Sequence, residues 1–223
     1  MSRQRPASFF ERYLDPTERL DEMLFALIMV LSITLGVGLA ADQDTRASQV
    51  IWAIVGCNLA WGLIDGCMHI VTQLFDRSSR ARLVEALRTS RDAAEQVATV
   101  GTVLDAPLAA LTSADERRVL YLKIADRLRG ATVPRTRVAA EDVYGGLAIV
   151  WLMVLATIPA IVPFLLITDR FVAARVSNAL VLLTLFAVGF GFARLVHADP
   201  WKLGWSTALF GLAMVVIVVL LGG

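Results

Sequence analysis

The sequence predicts an all-α integral membrane protein: five transmembrane helices, with a small helical cytoplasmic domain between helices two and three. Three observations lead there. Of the 223 residues, 57% are hydrophobic and the mean hydropathy is +0.66, beyond the range of soluble domains. Five apolar segments, Leu20–Ala41, Gln49–Phe75, Val143–Ile167, Phe171–Val196 and Trp201–Leu221, reach the roughly 20 helical residues that a bilayer core about 30 Å thick requires. The second and third are separated by a polar insert with its own helical periodicity. Residues 1–75 therefore hold an N-terminal arm and spans one and two, 76–142 the cytoplasmic domain, and 143–223 spans three to five.

Basic residues set the orientation. With the N-terminus inside, 18 Lys and Arg lie in inner segments and three (Arg46, Arg170, Arg175) in outer ones. The positive-inside rule then places the N-terminus in the cytoplasm and the C-terminus outside. Nineteen of the 21 basic residues are Arg, which with abundant Ala fits a GC-rich bacterial genome and so the bacterial cytoplasmic (inner) membrane. The first apolar run follows a 19-residue charged arm and is too long for a signal-peptide core, so it reads as a span.

In chain order, Asp15-Pro16-Thr17-Glu18 reads as a helix start, with Asp15 as N-cap and Pro16 at the first helical position. That helix continues into span one and sets Glu18, Asp21 and Glu22 at its cytoplasmic mouth. Ala41 to Ser48 is a short outer loop, so spans one and two are antiparallel. Span two carries Asn58, Asp65, His69 and Thr72 within about 60° on a helical wheel, one polar stripe. Beside it, Gly62 and Gly66 form a G-x-x-x-G pair that admits a neighbouring helix. Cys57 and Cys67, ten positions apart, are about 15 Å apart along the helix and cannot bridge; both read as buried spectators.

In the insert, Leu83, Leu87, Ala94 and Val97 predict an amphipathic helix over Ser78–Val100, broken by Gly101 and Pro107. Ser113-Ala114-Asp115-Glu116 is a capping box opening a second helix to Arg129, stopped by Gly130 and Pro134. Arg88–Asp92 and Arg91–Glu95 are spaced to pair at i, i+4. Pro159 and Pro163 bend or unwind span three near its outer end. Thr168 to Arg170 is a tight turn, and His197-Ala198-Asp199-Pro200 leads into span five, whose Trp201 and Trp205 suit the interfacial belt.

The layout of two spans, a helical insert and three spans resembles the vacuolar iron transporter family. Leu24-Phe25-Ala26 with Thr34-Leu35-Gly36 resembles the family's first helix, Gly56-Cys57-Asn58-Leu59-Ala60-Trp61-Gly62 its second, and Ile158-Pro159-Ala160-Ile161-Val162-Pro163-Phe164 its third. Gly189 to Arg194 and Gly204 to Gly211 with the terminal glycines resemble the last two. The resemblance implies a homodimer that exports Fe²⁺ or Mn²⁺ from the cytosol against protons, along a path between the two first helices. It also implies Met29 at the position of the family's transport Asp, with Leu59 and Leu63 in place of its Met and Glu.

The only ionisable groups well inside a span are Asp65 and His69. A carboxylate at a helix centre costs roughly 2.5–3.5 kcal/mol to insert, which makes it a functional candidate. Carboxylate and imidazole at i, i+4 form half a site for a divalent transition metal. Asn58 and Met29 are further candidate ligands, and a twofold dimer doubles every side chain. Glu18, Asp21 and Glu22 would collect the ion from the cytoplasm. The competing structural role is that Asp65 hydrogen-bonds His69, Asn58 or Arg194 as buried glue.

Two function classes follow. One is a proton-coupled secondary transporter of divalent metal, in which the ion is cargo and no cofactor is bound permanently. The other is a non-transporting membrane module of the same fold whose Arg-rich insert docks a cytoplasmic partner or anionic lipid. No G-x-S-x-G, H-E-x-x-H, P-loop or G-x-G-x-x-G motif supports an enzyme. Twelve basic and ten acidic residues over Asp76–Asp142 leave too little net charge for nucleic-acid binding. The expected partners are membrane lipid, a second copy of the chain and the metal ion.

Overall fold

A computed structural model of the chain describes residues 9–39, 46–133 and 136–220. Most of the expected outer loop over 41–48, Arg3 and Arg5, the stop at Pro134 and the terminal glycines lie outside them. The described residues form helices and no strand: α1 (Phe9–Tyr13), α2 (Pro16–Leu39), α3 (Ala47–Thr89), α4 (Ala93–Leu108), α5 (Ala114–Arg129), α6 (Ala140–Ala156), α7 (Ile158–Leu166), α8 (Arg170–Ala193) and α9 (Pro200–Leu220). Four helical stretches, α3, α6 with α7, α8 and α9, are long and apolar enough to cross a bilayer. The protein is a multi-pass membrane protein.

Two compact units divide the chain, Met1–His69 with Ala140–Gly223, and Ile70–Ala139. In the first, α2 starts where the local chemistry demands. Pro16 needs no donor at the first helical position, and the Asp15 backbone N–H donates to Glu18 Oε2 at 2.9 Å. Leu27, Val30 and Leu31 of α2 pack with Val50 and Ile54 of α3, Phe164 of α7, and Val181 and Leu185 of α8. A second cluster joins Ala26 of α2 to Ala148, Ile149, Leu152 and Met153 of α6. Tyr13 of α1 stacks on Tyr144 of α6 with ring centroids 5.5 Å apart. Trp52, by contrast, is 74% exposed. A large indole facing outward from an apolar helix is expected where hydrocarbon, not water, surrounds it.

The two prolines of span three act as expected. Neither Pro159 nor Pro163 has an N–H to donate, and the helix breaks at Thr157 into α6 and α7. α7 is then tied to α8 by Ser177, whose buried hydroxyl donates to the Ala160 carbonyl at 2.9 Å. Asp169 caps α8 by accepting from the Phe171 and Val172 backbone N–H groups. α8 and α9 approach closely because Gly204 sits under the Phe186 ring, where a Cβ would be 2.7 Å from the ring. His197 in the connection has φ 54°, the left-handed conformation that stops α8 from continuing.

In the second unit, Leu87 of α3, Val100 of α4, and Tyr121 and Ala125 of α5 form the core. The capping box at α5 is present as expected: Ser113 Oγ accepts from the Glu116 N–H, and the Ser113 N–H donates to Glu116 Oε2 at 2.8 Å. The expected break is not. Gly101 and Pro107 lie inside α4, and the helix ends instead at Thr89 and restarts at Ala93. Asp92 caps the restart, accepting from the Glu95 N–H at 2.7 Å, while Glu95 Oε2 accepts from the Arg91 N–H at 2.7 Å. Glu95 therefore serves the backbone rather than the Arg91 guanidinium. Arg88 likewise turns from Asp92 to the carbonyls of Arg129 and Ala131, at 3.3 and 2.6 Å. The expected i, i+4 ion pairs are replaced by caps and helix-end contacts, which satisfy groups that would otherwise be orphaned.

Candidate functional site on the inner turns of α2 and α3

The first two turns of α2 carry Glu18, Asp21 and Glu22, and α3 brings Asp65 and His69 to them. Glu18 uses both oxygens: Oε2 accepts from the Asp15 N–H, and Oε1 lies 3.4 Å from His69 Nδ1. The His69 ring is buried. Its Nε2 edge rests on the backbone of α6 at Gly145, where any Cβ would collide with it. Gly66 faces Gly146 in the same crossing, with room for no side chain: a Cβ would be 2.7 Å from the Gly146 carbonyl oxygen. Of the G-x-x-x-G pair of span two, Gly66 thus meets Gly146 of α6 and Gly62 meets Val150, while Gly145 makes room for His69.

Glu22 is half-buried on the same side of α2. The Asp65 carboxylate of α3 lies near enough to act on it, as do Asp21 and Glu18 of its own helix. The two candidate sets, the acids at the mouth of span one and the Asp–His pair of span two, therefore form one neighbourhood. It holds four carboxylates and one imidazole, with a single pair between Glu18 and His69. Arg19 points elsewhere, its guanidinium 3.8 Å from Glu11.

Asp65 is half-exposed and makes no hydrogen bond or ion pair among the described residues. It bonds none of the three partners expected of structural glue. His69 pairs with Glu18, the Asn58 amide N–H donates to the Ile54 carbonyl at 3.0 Å, and Arg194 lies over the Phe190 ring. Asn58 is fully buried, and its Oδ1 has no partner. A buried acceptor left unsatisfied costs about 1–3 kcal/mol.

Met29 lies away from Asp65 and His69. Its Sδ lies 3.2 Å from Cys57 Sγ, about 12 Å along α3 from the level of Asp65. It lines a groove of about 610 Å³ with Phe25, Trp61, Phe210 and Met214, and Asp21 reaches the same groove. Cys57 is partly buried there, and Cys67 is exposed, so the latter is not the buried spectator its hydrophobic setting suggests. Among the described residues, no three or more His, Cys, Asp and Glu side chains converge closely enough to hold a metal ion. The Glu18–His69 contact had no signature in the sequence, since it depends on how two helices cross. The Gly145-Gly146 pair, opposite a histidine that needs space, was the available signal. No family model matches the chain, and no curated protein matches it.

Proposed function

We propose that the protein is a proton-coupled secondary transporter of a divalent transition metal of the Fe²⁺ or Mn²⁺ class, moving it out of the cytosol. The observation that carries the reading is the merging of the α2 acids with Asp65 and His69 into one neighbourhood that is rich in oxygen donors and poor in cations. Four carboxylates gathered without a cation partner repel one another, which an ion or a proton relieves. Carboxylate oxygens suit the proposed cargo, while both nitrogens of His69 are engaged, Nδ1 by Glu18 and Nε2 against the α6 backbone. His69 then acts as a positioning residue, steadying the Glu18 carboxylate beside the other acids rather than ligating the ion. One chain offers too few converging ligands, which fits a site completed across a twofold homodimer.

In the same proposal α2 is the fifth span. Its 24 residues extend about 36 Å, enough to cross the bilayer. The unit Ile70–Ala139 lies in the cytoplasm of a bacterial inner-membrane protein, with the N-terminus inside and the C-terminus outside.

The test is metal flux into proteoliposomes under an imposed pH gradient, with Mn²⁺ as the reporter ion. Asp65→Asn should lower flux at least about tenfold and His69→Gln by a comparable factor. Unchanged flux in Asp65→Asn would remove Asp65 from the site. A second reading, the non-transporting module, draws on α5, which exposes Arg118, Lys123, Arg127 and Arg129 with no ion pair among the described residues. Absence of flux in the unmodified protein, with binding of the protein to a cytoplasmic partner through α5, would favour it.

A further inference from the structure

The α8–α9 hairpin carries an apolar groove of about 370 Å³ that the transport reading does not use. Leu182, Leu183 and Phe186 of α8 line one wall, and Trp205, Leu209 and Leu212 of α9 the other. Its lining is wholly apolar, as a hydrocarbon chain requires. From Leu212 to Trp201 the α9 wall rises about 16 Å, and from Leu182 to Arg194 the α8 wall rises about 18 Å. Each length matches one leaflet of a bilayer whose core is about 30 Å thick.

The end of the groove toward the α8–α9 connection is chemically different. On α8, Phe186, Phe190 and Arg194 follow at i+4 spacing and share one face. The rings continue across to α9: Trp205 to Phe186 at 5.2 Å, Phe186 to Trp201 at 5.7 Å and Trp201 to Phe190 at 5.6 Å between centroids. The Arg194 guanidinium lies 5.9 Å from the Phe190 centroid and tops this aromatic wall. Lys202 lies three and seven residues before Trp205 and Leu209, so it stands over the other wall.

Neither cation has a carboxylate partner among the described residues. Asp199, the acid in the connection, is occupied at Oδ1 by the Trp201 and Lys202 backbone N–H groups. The groove is therefore dry along a leaflet's depth and doubly cationic where helices leave the bilayer.

We propose that this hairpin is a binding site for one anionic phospholipid, with an acyl chain in the groove and the phosphodiester between Arg194 and Lys202. The tryptophans supply the amphipathic collar at headgroup level. Each basic residue near a membrane surface strengthens anionic-lipid binding by about fivefold, so the pair favours an anionic over a zwitterionic lipid at least tenfold. The site does not depend on metal transport, and its test reads lipid rather than flux.

The probe is tryptophan quenching by brominated acyl chains, with the full chain reconstituted in phosphatidylcholine bilayers. A variant carrying Trp52→Phe, Trp61→Phe and Trp151→Phe leaves Trp201 and Trp205 as reporters. Brominated phosphatidylglycerol at a low mole fraction should quench this variant as if enriched about tenfold over random mixing, while brominated phosphatidylcholine should follow its mole fraction. A companion variant with Trp201→Phe and Trp205→Phe, retaining the other three, should show no enrichment. Arg194→Gln with Lys202→Gln should return the reporters to random mixing. Equal quenching by the two lipids overturns the proposal, and that comparison needs no change to either cation. Equal enrichment at both sets of tryptophans also overturns it, because the preference would then belong to the whole surface.

Discussion

Glu116 is an exposed carboxylate whose two contacts set its proton affinity. The backbone N–H and the hydroxyl of Ser113 both donate to it, and together they hold its pKa below the ordinary carboxylate value. A group depressed in the folded state contributes stability that is fully present above its unfolded pKa and is lost as pH falls through the folded one. The first turn of α5 should therefore hold its amide-exchange protection, corrected for intrinsic rates, from neutral pH down to the ordinary carboxylate range, and lose it progressively below. Ser113→Ala removes the N-cap, and such a loss typically costs a helix about 1 kcal/mol. Protection in that variant should be lower at neutral pH and should step down less in acid, because the backbone N–H of residue 113 still donates to Glu116. An unchanged acid profile would mean that the Ser113 hydroxyl has no part in holding the Glu116 pKa down. Tyr121, in the same unit, is pushed the other way. Burial first, and then the Asp105 carboxylate that accepts from its hydroxyl at 3.1 Å, raise the phenol above its usual value and keep it a neutral donor.

At the scale of elements, the crossing of α3 with α6 rests on glycines for want of space. A Cβ on Gly66 meets backbone, the Gly146 carbonyl, which has no rotamer to yield. Gly66→Ala should cost about 1–3 kcal/mol as an overpacked contact. Gly56, on the same helix with nothing within 4 Å of its would-be Cβ, is the control. Gly56→Ala should be neutral or stabilising by up to about 1 kcal/mol through helix propensity. Thermal unfolding in detergent compares the two, and an equal effect of both would sink the packing argument. Elements defined by consecutive residues were legible beforehand. The capping box at Ser113, the Pro16 start and the bend that Pro159 and Pro163 impose on span three each depend on neighbours in the chain. The α4 boundaries were not, although Asp92 and Glu95 have the spacing of a cap. Gly101 stays helical because α4 buries Val97, Val100 and Leu104 against α5, and that burial outweighs a glycine penalty of about 1 kcal/mol. Pro107 lies one residue from the end of α4, where the helix has little left to lose. Within the candidate site, Asp65 and His69 stood out as ionisable groups in an apolar run. Their neighbours Glu18 and Glu22 were named for another reason, and only the crossing of α2 with α3 unites them.

For the whole molecule, the proposal turns on whether α2 crosses the bilayer, because one span more or fewer inverts everything after it. Four helical stretches qualify by length and apolarity, and α2 adds a fifth only if Glu18, Asp21 and Glu22 stay at its inner mouth. The cost of a carboxylate at a helix centre falls sharply toward the interface, so three acids within the first seven residues of α2 are compatible with crossing. Single cysteines introduced into a Cys57→Ser, Cys67→Ser background test the arrangement with a membrane-impermeant maleimide on intact cells. Thr168→Cys, between α7 and α8, should label from outside. Ser113→Cys, before α5, and Ala198→Cys, between α8 and α9, should label only after the membrane is opened. Labelling of Ser113→Cys from outside would place the unit Ile70–Ala139 on the wrong side. The acidic mouth of α2 would then face away from the cytosol, and it would no longer serve as the port through which exported metal is collected.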